Sequence, residues 1–308
     1  MEIIYGLENI TSRVPCALTM GTFDGVHLGH LQIIKQLREE ADRQNLCATL
    51  ITFEPHPRLV VKRSGSSGIR ILTTLQEKIA LLKEQPLDRV VVVKFDEAFS
   101  RIEYEEFVKT VLLDKLGSQA LIIGYDHAFG KNREGNFSNL EKISKKYGFT
   151  LDKVEPYEVE GQIVSSTFIR QFLNDGDVAL AAKLLGRNYA ISGTVISGDA
   201  RGKILHFPTA NIETQHTQKL IPKPGVYAVD VHYAGESFKG MMNIGYRPTF
   251  QEDGQLSVEV HIINFNKDIY GEQLTISFKK RLRDEIKFKS KDELIAQLQM
   301  DREQSLKL

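Results

Sequence analysis

Two histidines three residues apart, His27 and His30, stand within a glycine-punctuated stretch, Gly21-Thr22-Phe23-Asp24-Gly25-Val26-His27-Leu28-Gly29-His30. An apolar run from Ala17 to Met20 precedes it, and an amphipathic run from Leu31 to Arg43 follows, so the stretch reads as a turn from a buried strand into a helix. Glycines there let backbone N–H groups approach a ligand closely, and a helix N-terminus attracts phosphate. At a spacing of three the two imidazoles share a helix face and present two donors beside that anion site. An HxxH pair alone would read equally as metal ligands or surface histidines. The glycines, Phe23-Asp24 and the strand–turn–helix context point to a nucleotide triphosphate.

Further along, Phe53-Glu54-Pro55-His56-Pro57 follows a second apolar run, and its prolines stiffen a loop from which His56 can reach a phosphate or a ribose. Gly124-Tyr125-Asp126-His127-Ala128-Phe129-Gly130-Lys131-Asn132-Arg133-Glu134-Gly135 has a superficial Walker A look. The glycine spacing is one too long, and Asn132 stands where Ser or Thr must hold Mg²⁺, which excludes that motif. Ser165-Ser166-Thr167-Phe168-Ile169-Arg170 opens a helix. Its hydroxyls are good helix caps. With the planar guanidinium of Arg170 they also make a clamp for the β- and γ-phosphates. Gly198-Asp199-Ala200-Arg201-Gly202-Lys203-Ile204-Leu205-His206-Phe207-Pro208-Thr209-Ala210-Asn211 is a glycine-rich loop ending in a rigid segment. It suits wrapping phosphates and offering a hydroxyl to a metal, or it is an ordinary turn.

Positioning these groups takes two kinds of architecture. Residues 1 to about 155 alternate β-branched runs (Ala48 to Phe53, Val90 to Lys94, Gln119 to Gly124) with helical patterns near 74–84 and 103–115. That alternation predicts a parallel sheet with helices on its faces, whose ligands bind at the carboxyl ends of the strands. His27, His56 and Asp126 all follow strand-like runs, so they are expected at one edge. Ser64-Gly65-Ser66-Ser67-Gly68 reads as a disordered connection or a lid. From about 186 the pattern changes to short runs, Ala190 to Ser197, Val226 to Tyr233, Ser257 to Ile263 and Leu274 to Phe278, separated by turn signals such as Ala234-Gly235-Glu236. These predict a small antiparallel sheet or barrel, closed by an amphipathic helix from Lys291 to Met300.

A chain of 308 residues has room for both domains. Its 40 basic and 40 acidic residues balance, which weighs against a dedicated nucleic-acid binder. Cys16 and Cys47 fit small core residues of a reduced protein better than a disulfide framework. No apolar stretch approaches the ~20 residues of a membrane span, and Met1-Glu2-Ile3-Ile4 does not open like a signal peptide. A soluble cytoplasmic protein with no membrane partner is expected; the sequence leaves its oligomeric state open.

The first of these stretches resembles the adenylyltransferase motif of the bacterial bifunctional riboflavin kinase/FAD synthetases, and the resemblance runs nearly end to end. Pro55-His56-Pro57 is similar to the family's PHP element, Gly124 to Gly135 to its second adenylyltransferase motif, and Ser165 to Arg170 to its SSTxIR pattern. Pro208-Thr209-Ala210-Asn211 matches PTAN, Asn243-Ile244-Gly245-Tyr246-Arg247-Pro248-Thr249-Phe250 matches NIGxRPTF, and Glu259-Val260-His261 matches ExH, with Asp268 to Gly271 and Arg283-Asp284-Glu285 completing it. His127 stands where the family usually has Phe, Lys203 where Arg is common, and His206 where Gly is usual.

The resemblance implies a Rossmann-like α/β FMN adenylyltransferase domain over 1–186 and an antiparallel β-barrel riboflavin kinase domain over 187–308. It implies ATP contacts from Gly21, Phe23, Asp24, Gly25, His27, His30, Asp126, Ser166, Thr167 and Arg170 in the first, and from Gly198, Gly202, Lys203, Pro208, Thr209 and Asn211 in the second. Thr209 and Asn211 would hold Mg²⁺, and His56, Asn243, Arg247, Glu259 and Arg283 would frame riboflavin or FMN. His27, His30 and Arg170 would stabilise charge during adenylyl transfer. Strand alternation puts Glu259 and His261 on one face, and Glu259 would be the general base of the kinase. A chain with one active half, a flavin-sensing regulator, or a nucleotidyltransferase for another phosphorylated acceptor are the alternatives.

Overall fold

The structure is a computed structural model that describes residues 1–61, 68–125, 129–130, 134–197, 207–214, 216–246 and 256–308. Asp126, His127, Gly198, Gly202, Lys203, His206, Arg247 and the loop residues Ser64 to Ser67 lie outside the described residues. The chain forms two compact units, Met1–Ser166 and Thr167–Leu308.

The first unit runs β1 (Glu2–Tyr5), β2 (Cys16–Met20), α1 (Leu28–Gln44), β3 (Cys47–Glu54), α2 (Pro57–Val60), α3 (Leu75–Lys83), β4 (Arg89–Lys94), α4 (Glu97–Ser100), α5 (Tyr104–Phe107, continuing as a π-helix over Val108–Lys115), β5 (Ser118–Gly124), α6 (Phe137–Tyr147) and β6 (Thr150–Val154), then a small hairpin of β7 (Glu158–Val159) and β8 (Gln162–Ile163). The six strands β1 to β6 pair in parallel in the order β1-β4-β3-β2-β5-β6. Strand alternation sends Cys16, Leu18 and Met20 into one core layer and Ala17 into the other. Both faces are therefore buried, as the alternating strand and helix pattern predicts. The edge strands β1 and β6 escape the sequence reading because each is half-exposed and interrupted by Glu2, Asp152 and Lys153.

The second unit begins with the rest of α7 (Ser166–Asp175) and continues with α8 (Val178–Leu185), β9 (Ala190–Ile196), β10 (Ala210–Thr214), β11 (Gly225–Tyr233), β12 (Glu236–Tyr246), β13 (Leu256–Ile262), β14 (Gln273–Arg283) and α9 (Lys291–Leu306). Its strands close into an antiparallel barrel, β10-β13-β12-β11-β14-β9. Ala234 and Gly235, at φ 50° and 82°, make the two-residue turn between β11 and β12, with the left-handed backbone that matches strand twist. The stretch Asn243 to Tyr246 ends a long strand, β12, that the sequence reading left out. Helix α9 starts at the expected Lys291 under a Ser290 cap but continues to Leu306. Helix α8 packs on β14, and the Lys223 N–H donates to the Leu173 carbonyl on α7. The two helices thus fold with the barrel unit.

Candidate active sites

In the first unit the strand order reverses around β2: β3 and β4 lie to one side of it and β5 returns to the other. Such a switch point opens a crevice at the carboxyl ends of the strands. The turn leaving β2 occupies that place. Helix α1 starts at Leu28 instead of Leu31, so His27 is its N-cap and His30 lies in its first turn. The His30 N–H donates to His27 Nδ1 (3.3 Å), and the His27 N–H donates to His30 Nδ1 (3.4 Å). Both rings accept through Nδ1, which places the proton of each neutral ring on Nε2. The rings stack at 3.6 Å, and the Phe23 ring meets His30 at a tilt, centroids 4.9 Å apart.

The backbone of this turn is strained. Phe23, Gly25 and Val26 have φ of 46°, 88° and 38°, and a β-branched residue at positive φ is a genuine outlier. Such conformations persist only where the surroundings enforce them. Here the enforcement comes from the residues just before α3. The buried Asp24 carboxylate accepts the Leu72 N–H (2.9 Å), the Thr73 N–H (2.9 Å) and the Thr73 hydroxyl (3.2 Å), while Thr73 Oγ1 accepts the Gly25 N–H (3.0 Å). Beneath the turn, Lys78 donates to Thr52 Oγ1 (3.1 Å) and the Thr52 hydroxyl donates to the Thr22 carbonyl (3.1 Å). Burial pushes the Lys78 ammonium pKa down, against the pull of Asp24 and Glu54. Sequence reasoning missed Thr52, Thr73 and Lys78. The Thr74–Glu77 capping box marks where α3 begins, but nothing local says that Lys78 faces inward.

Of the other candidates, His56 and Ser166 belong to this unit, and Thr167 and Arg170 to the second. His56 follows β3, is buried, and caps α2 by accepting the Arg58 N–H at 3.1 Å. Ser166 reaches the Gly21–Gly25 turn directly, its hydroxyl donating to the Asp24 carbonyl at 2.8 Å. Thr167 is exposed and Arg170 half-buried, both on α7.

In the barrel, strand register gathers residues that the sequence holds far apart. Asn211 on β10 faces Glu259 on β13, Glu259 faces Asn243 on β12, Asn243 faces Val226 on β11, and Val226 faces Arg283 on β14. Four candidates thus share one belt. A cavity of about 320 Å³ opens beside it, in the size range of small-molecule sites. Thr209, Asn243, Glu259, His261 and Arg283 line it, with apolar walls that include Val226, Met241, Met242, Phe288, Leu294 and Leu298. Glu259 Oε1 accepts the Ser257 hydroxyl (2.9 Å), and Oε2 accepts the Thr209 hydroxyl at 3.4 Å. Arg283, expected to frame the flavin, is engaged by Asp301 of α9 in a nearly buried ion pair with contacts of 3.0 Å and 2.7 Å. Gln297 donates to the same carboxylate. Asp301, which the sequence reading passed over, therefore fastens the C-terminal helix as a wall of the cavity.

Family models divide the chain in the same sense. The FAD synthetase model matches residues 9–168 and the riboflavin kinase model residues 185–308. A bifunctional riboflavin kinase/FMN adenylyltransferase of Haemophilus influenzae is 40% identical over 98% of this chain and 97% of its own length. One from Escherichia coli K12 is 39% identical over 98% of this chain and 96% of its own. One from Bacillus subtilis is 36% identical over 94% and 91%. A crystal structure from Streptococcus pneumoniae titled a macrolide-efflux protein superposes over the full length of both chains, with a TM-score of 0.90 at 28% identity. Among the described residues, no helix here is long and apolar enough to cross a membrane.

Proposed function

The chain belongs to the bifunctional riboflavin kinase/FMN adenylyltransferase family, and from that membership we propose how its two halves divide the chemistry. It is an enzyme of flavin cofactor biosynthesis that phosphorylates riboflavin with ATP to give FMN and adenylylates FMN to FAD with release of pyrophosphate. On our reading, residues 1–186 carry the second step and residues 187–308 the first.

In adenylyl transfer a phosphate oxygen of FMN attacks the α-phosphorus of ATP and the bond to the β-phosphate oxygen breaks. No enzyme nucleophile is needed, so the protein's part is positioning and charge stabilisation. His27 and His30, held as neutral Nε2–H donors, meet the charge developing on the transferring group. The strained turn from Gly21 to Gly25 lets the chain approach the triphosphate closely, although the Gly21 and Gly25 N–H groups are themselves given to Ile51 and Thr73. Asp24 serves it indirectly, through the strap to Leu72 and Thr73. Ser166, Thr167 and Arg170 clamp the β- and γ-phosphates, while His56 and Asp126 recognise substrate groups.

In the kinase half, Glu259 takes the proton of the riboflavin 5′-hydroxyl as that oxygen attacks the γ-phosphorus and ADP leaves. The observation that carries this reading is the position of Glu259 in the cavity wall, between Asn211 and Asn243 on the flanking strands. Asn243 and Arg247 orient the flavin. Arg283 acts through the wall it holds with Asp301. The glycine-rich loop with Gly198, Gly202 and Lys203 covers ATP, with Pro208 fixing its end. The hydroxyl of Thr209 and the amide oxygen of Asn211 are hard oxygen donors of the kind Mg²⁺ accepts beside phosphates and water. They would hold that ion, which supplies charge neutralisation on the phosphates.

We place the enzyme in the cytoplasm, where its two unpaired cysteines fit a reducing milieu. The test is product analysis. With riboflavin, ATP and MgCl₂ the protein should yield FMN and then FAD, resolved by chromatography, and without MgCl₂ neither. FMN with no FAD, or no turnover of riboflavin, would reduce the chain to one active half or to a sensor.

A further inference from the structure

Strand β13 presents Ser257, Glu259 and His261 on one face, since alternate residues of a strand point the same way. Ser257 and Glu259 bond to each other. His261 instead reaches across to the segment before β10, where its Nδ1 lies 2.8 Å from the Pro208 carbonyl oxygen. A carbonyl only accepts, so Nδ1 carries the proton and donates it. The place of this bond is informative. The β10–β13 ladder pairs Asn211 with Glu259 and Ala210 with Val260, and ends there. Phe207, Pro208 and Thr209 run on past the last rung. At the next position outward the His261 side chain supplies the bond that the ladder no longer gives, and its ring also meets Phe207 edge-on, at 5.2 Å and 66°.

We propose that His261 is a positioning residue of the kinase site: its Nδ1–H bond to the Pro208 carbonyl sets where Thr209 stands relative to Glu259. The inference rests on the reading of Glu259 as the general base and of Thr209 as a metal and nucleotide ligand. The Thr209–Glu259 contact, at 3.4 Å, is longer than a well-formed hydroxyl bond, so the placement of Thr209 is left to its own segment. Burial lowers the His261 pKa, outweighing the Pro208 bond that raises it; Arg302 lowers it further. At neutral pH the ring is therefore an uncharged donor, which holds the segment without adding a cation beside the base.

The experiment uses the full-length enzyme with His261→Leu, His261→Asn, His261→Gln and Glu259→Gln. Leu removes the donor, Asn places an amide N–H near the Nδ1 position, and Gln places one near Nε2. Misplacement of a reacting group by about 1 Å can cost ~10²-fold. His261→Leu should accordingly lower the kinase kcat by about 10- to 100-fold and raise KM for MgATP. FAD formation from supplied FMN, which uses the residues of the other half, should stay unchanged. His261→Asn should recover the kinase rate to within a few-fold, and His261→Gln should not. Asn no better than Leu or Gln, or Leu at the parental rate, overturns the proposal. If the Leu protein does not fold, the Asn–Gln comparison alone decides, equal rates counting against it. Glu259→Gln separates the two layers. A parental rate there removes the general-base reading, whereas a lost rate there beside a parental rate in His261→Leu removes only the role of His261.

Discussion

A Cβ on Gly29 would stand 3.3 Å from Nδ1 and from Cε1 of His27. The imidazole edge, with the Val164 carbonyl 3.4 Å away, leaves a Cβ at position 29 less room than it normally has. The ring can give way only by loosening its cap on α1 and its stack on His30. Gly29 is not in the left-handed region, so nothing in its backbone requires glycine. Gly29→Ala should therefore leave the thermal midpoint unchanged or slightly raised, since Ala is the better helix former by up to about 1 kcal/mol. FAD formation from FMN should fall at least about tenfold as His27 shifts. A fall in both quantities together would mean that Gly29 matters for folding and not for His27.

The reciprocal bonds of His27 and His30 separate capping from catalysis. Asn is a good N-cap, so His27→Asn keeps an acceptor for the His30 N–H while removing the Nε2–H. His27→Ala removes both and should cost about 1 kcal/mol of stability as well. Each variant should lower FAD formation from FMN by at least ~10²-fold, the effect of losing a preorganised donor. Riboflavin phosphorylation should remain near the parental rate. Parallel urea melts and initial rates check the assignment, and a His27→Asn enzyme of normal rate would reduce His27 to a cap.

The two sites were legible in the sequence to different depths. Where one short stretch brings the candidate residues together, as from Gly21 to His30, residue types and spacing suffice, because the turn and the His27 cap on α1 lie within that stretch. The central strands were legible for a similar reason: buried on both faces, they read as unbroken apolar runs. The edge strands β1 and β6 carry polar interruptions and did not. What holds the turn after β2 comes from Leu72, Thr73 and Lys78, about fifty residues away, and a buried lysine in an amphipathic helix looks like any surface lysine until the helix is docked. The same applies to Asp301. The run from Lys291 to Met300 stops short of it, and its meaning comes from Arg283 at the end of β14. The belt from Asn211 through Glu259 and Asn243 follows from register, which is set by the whole sheet.

The Arg283–Asp301 pair gives the third prediction. Asp301 is 1% exposed, and removing one partner of a buried pair leaves an uncompensated charge at a cost of about 3–5 kcal/mol. Asp301→Leu should lower the stability of the barrel unit by roughly that amount and weaken riboflavin binding, since Leu294 and Leu298 of the same helix wall the cavity. Replacing both residues, Arg283→Met with Asp301→Leu, should recover most of the stability because no unpaired charge remains. Denaturant midpoints of the parent, Arg283→Met, Asp301→Leu and the double variant measure the coupling. Additive losses would show that the pair is not what fastens α9.

Glu259→Gln tests the chemistry of the kinase half. The substitution preserves shape: Gln keeps an oxygen for the Ser257 hydroxyl, and its amide can donate to Thr209 Oγ1, where the carboxylate now accepts. What disappears is basicity. If Glu259 removes the proton of the riboflavin hydroxyl as the bond to the γ-phosphorus forms, the kinase rate should drop by ~10²–10⁴-fold. Binding of riboflavin and MgATP should change little, because the lost contribution belongs to the transition state. FAD formation from supplied FMN should continue, since that attack uses an already ionised phosphate and the residues of the other half. The rival view makes Glu259 a strand residue that happens to line a cavity. On that view its neutral isostere costs little in any assay, and a kinase rate within a few-fold of the parent would decide for it.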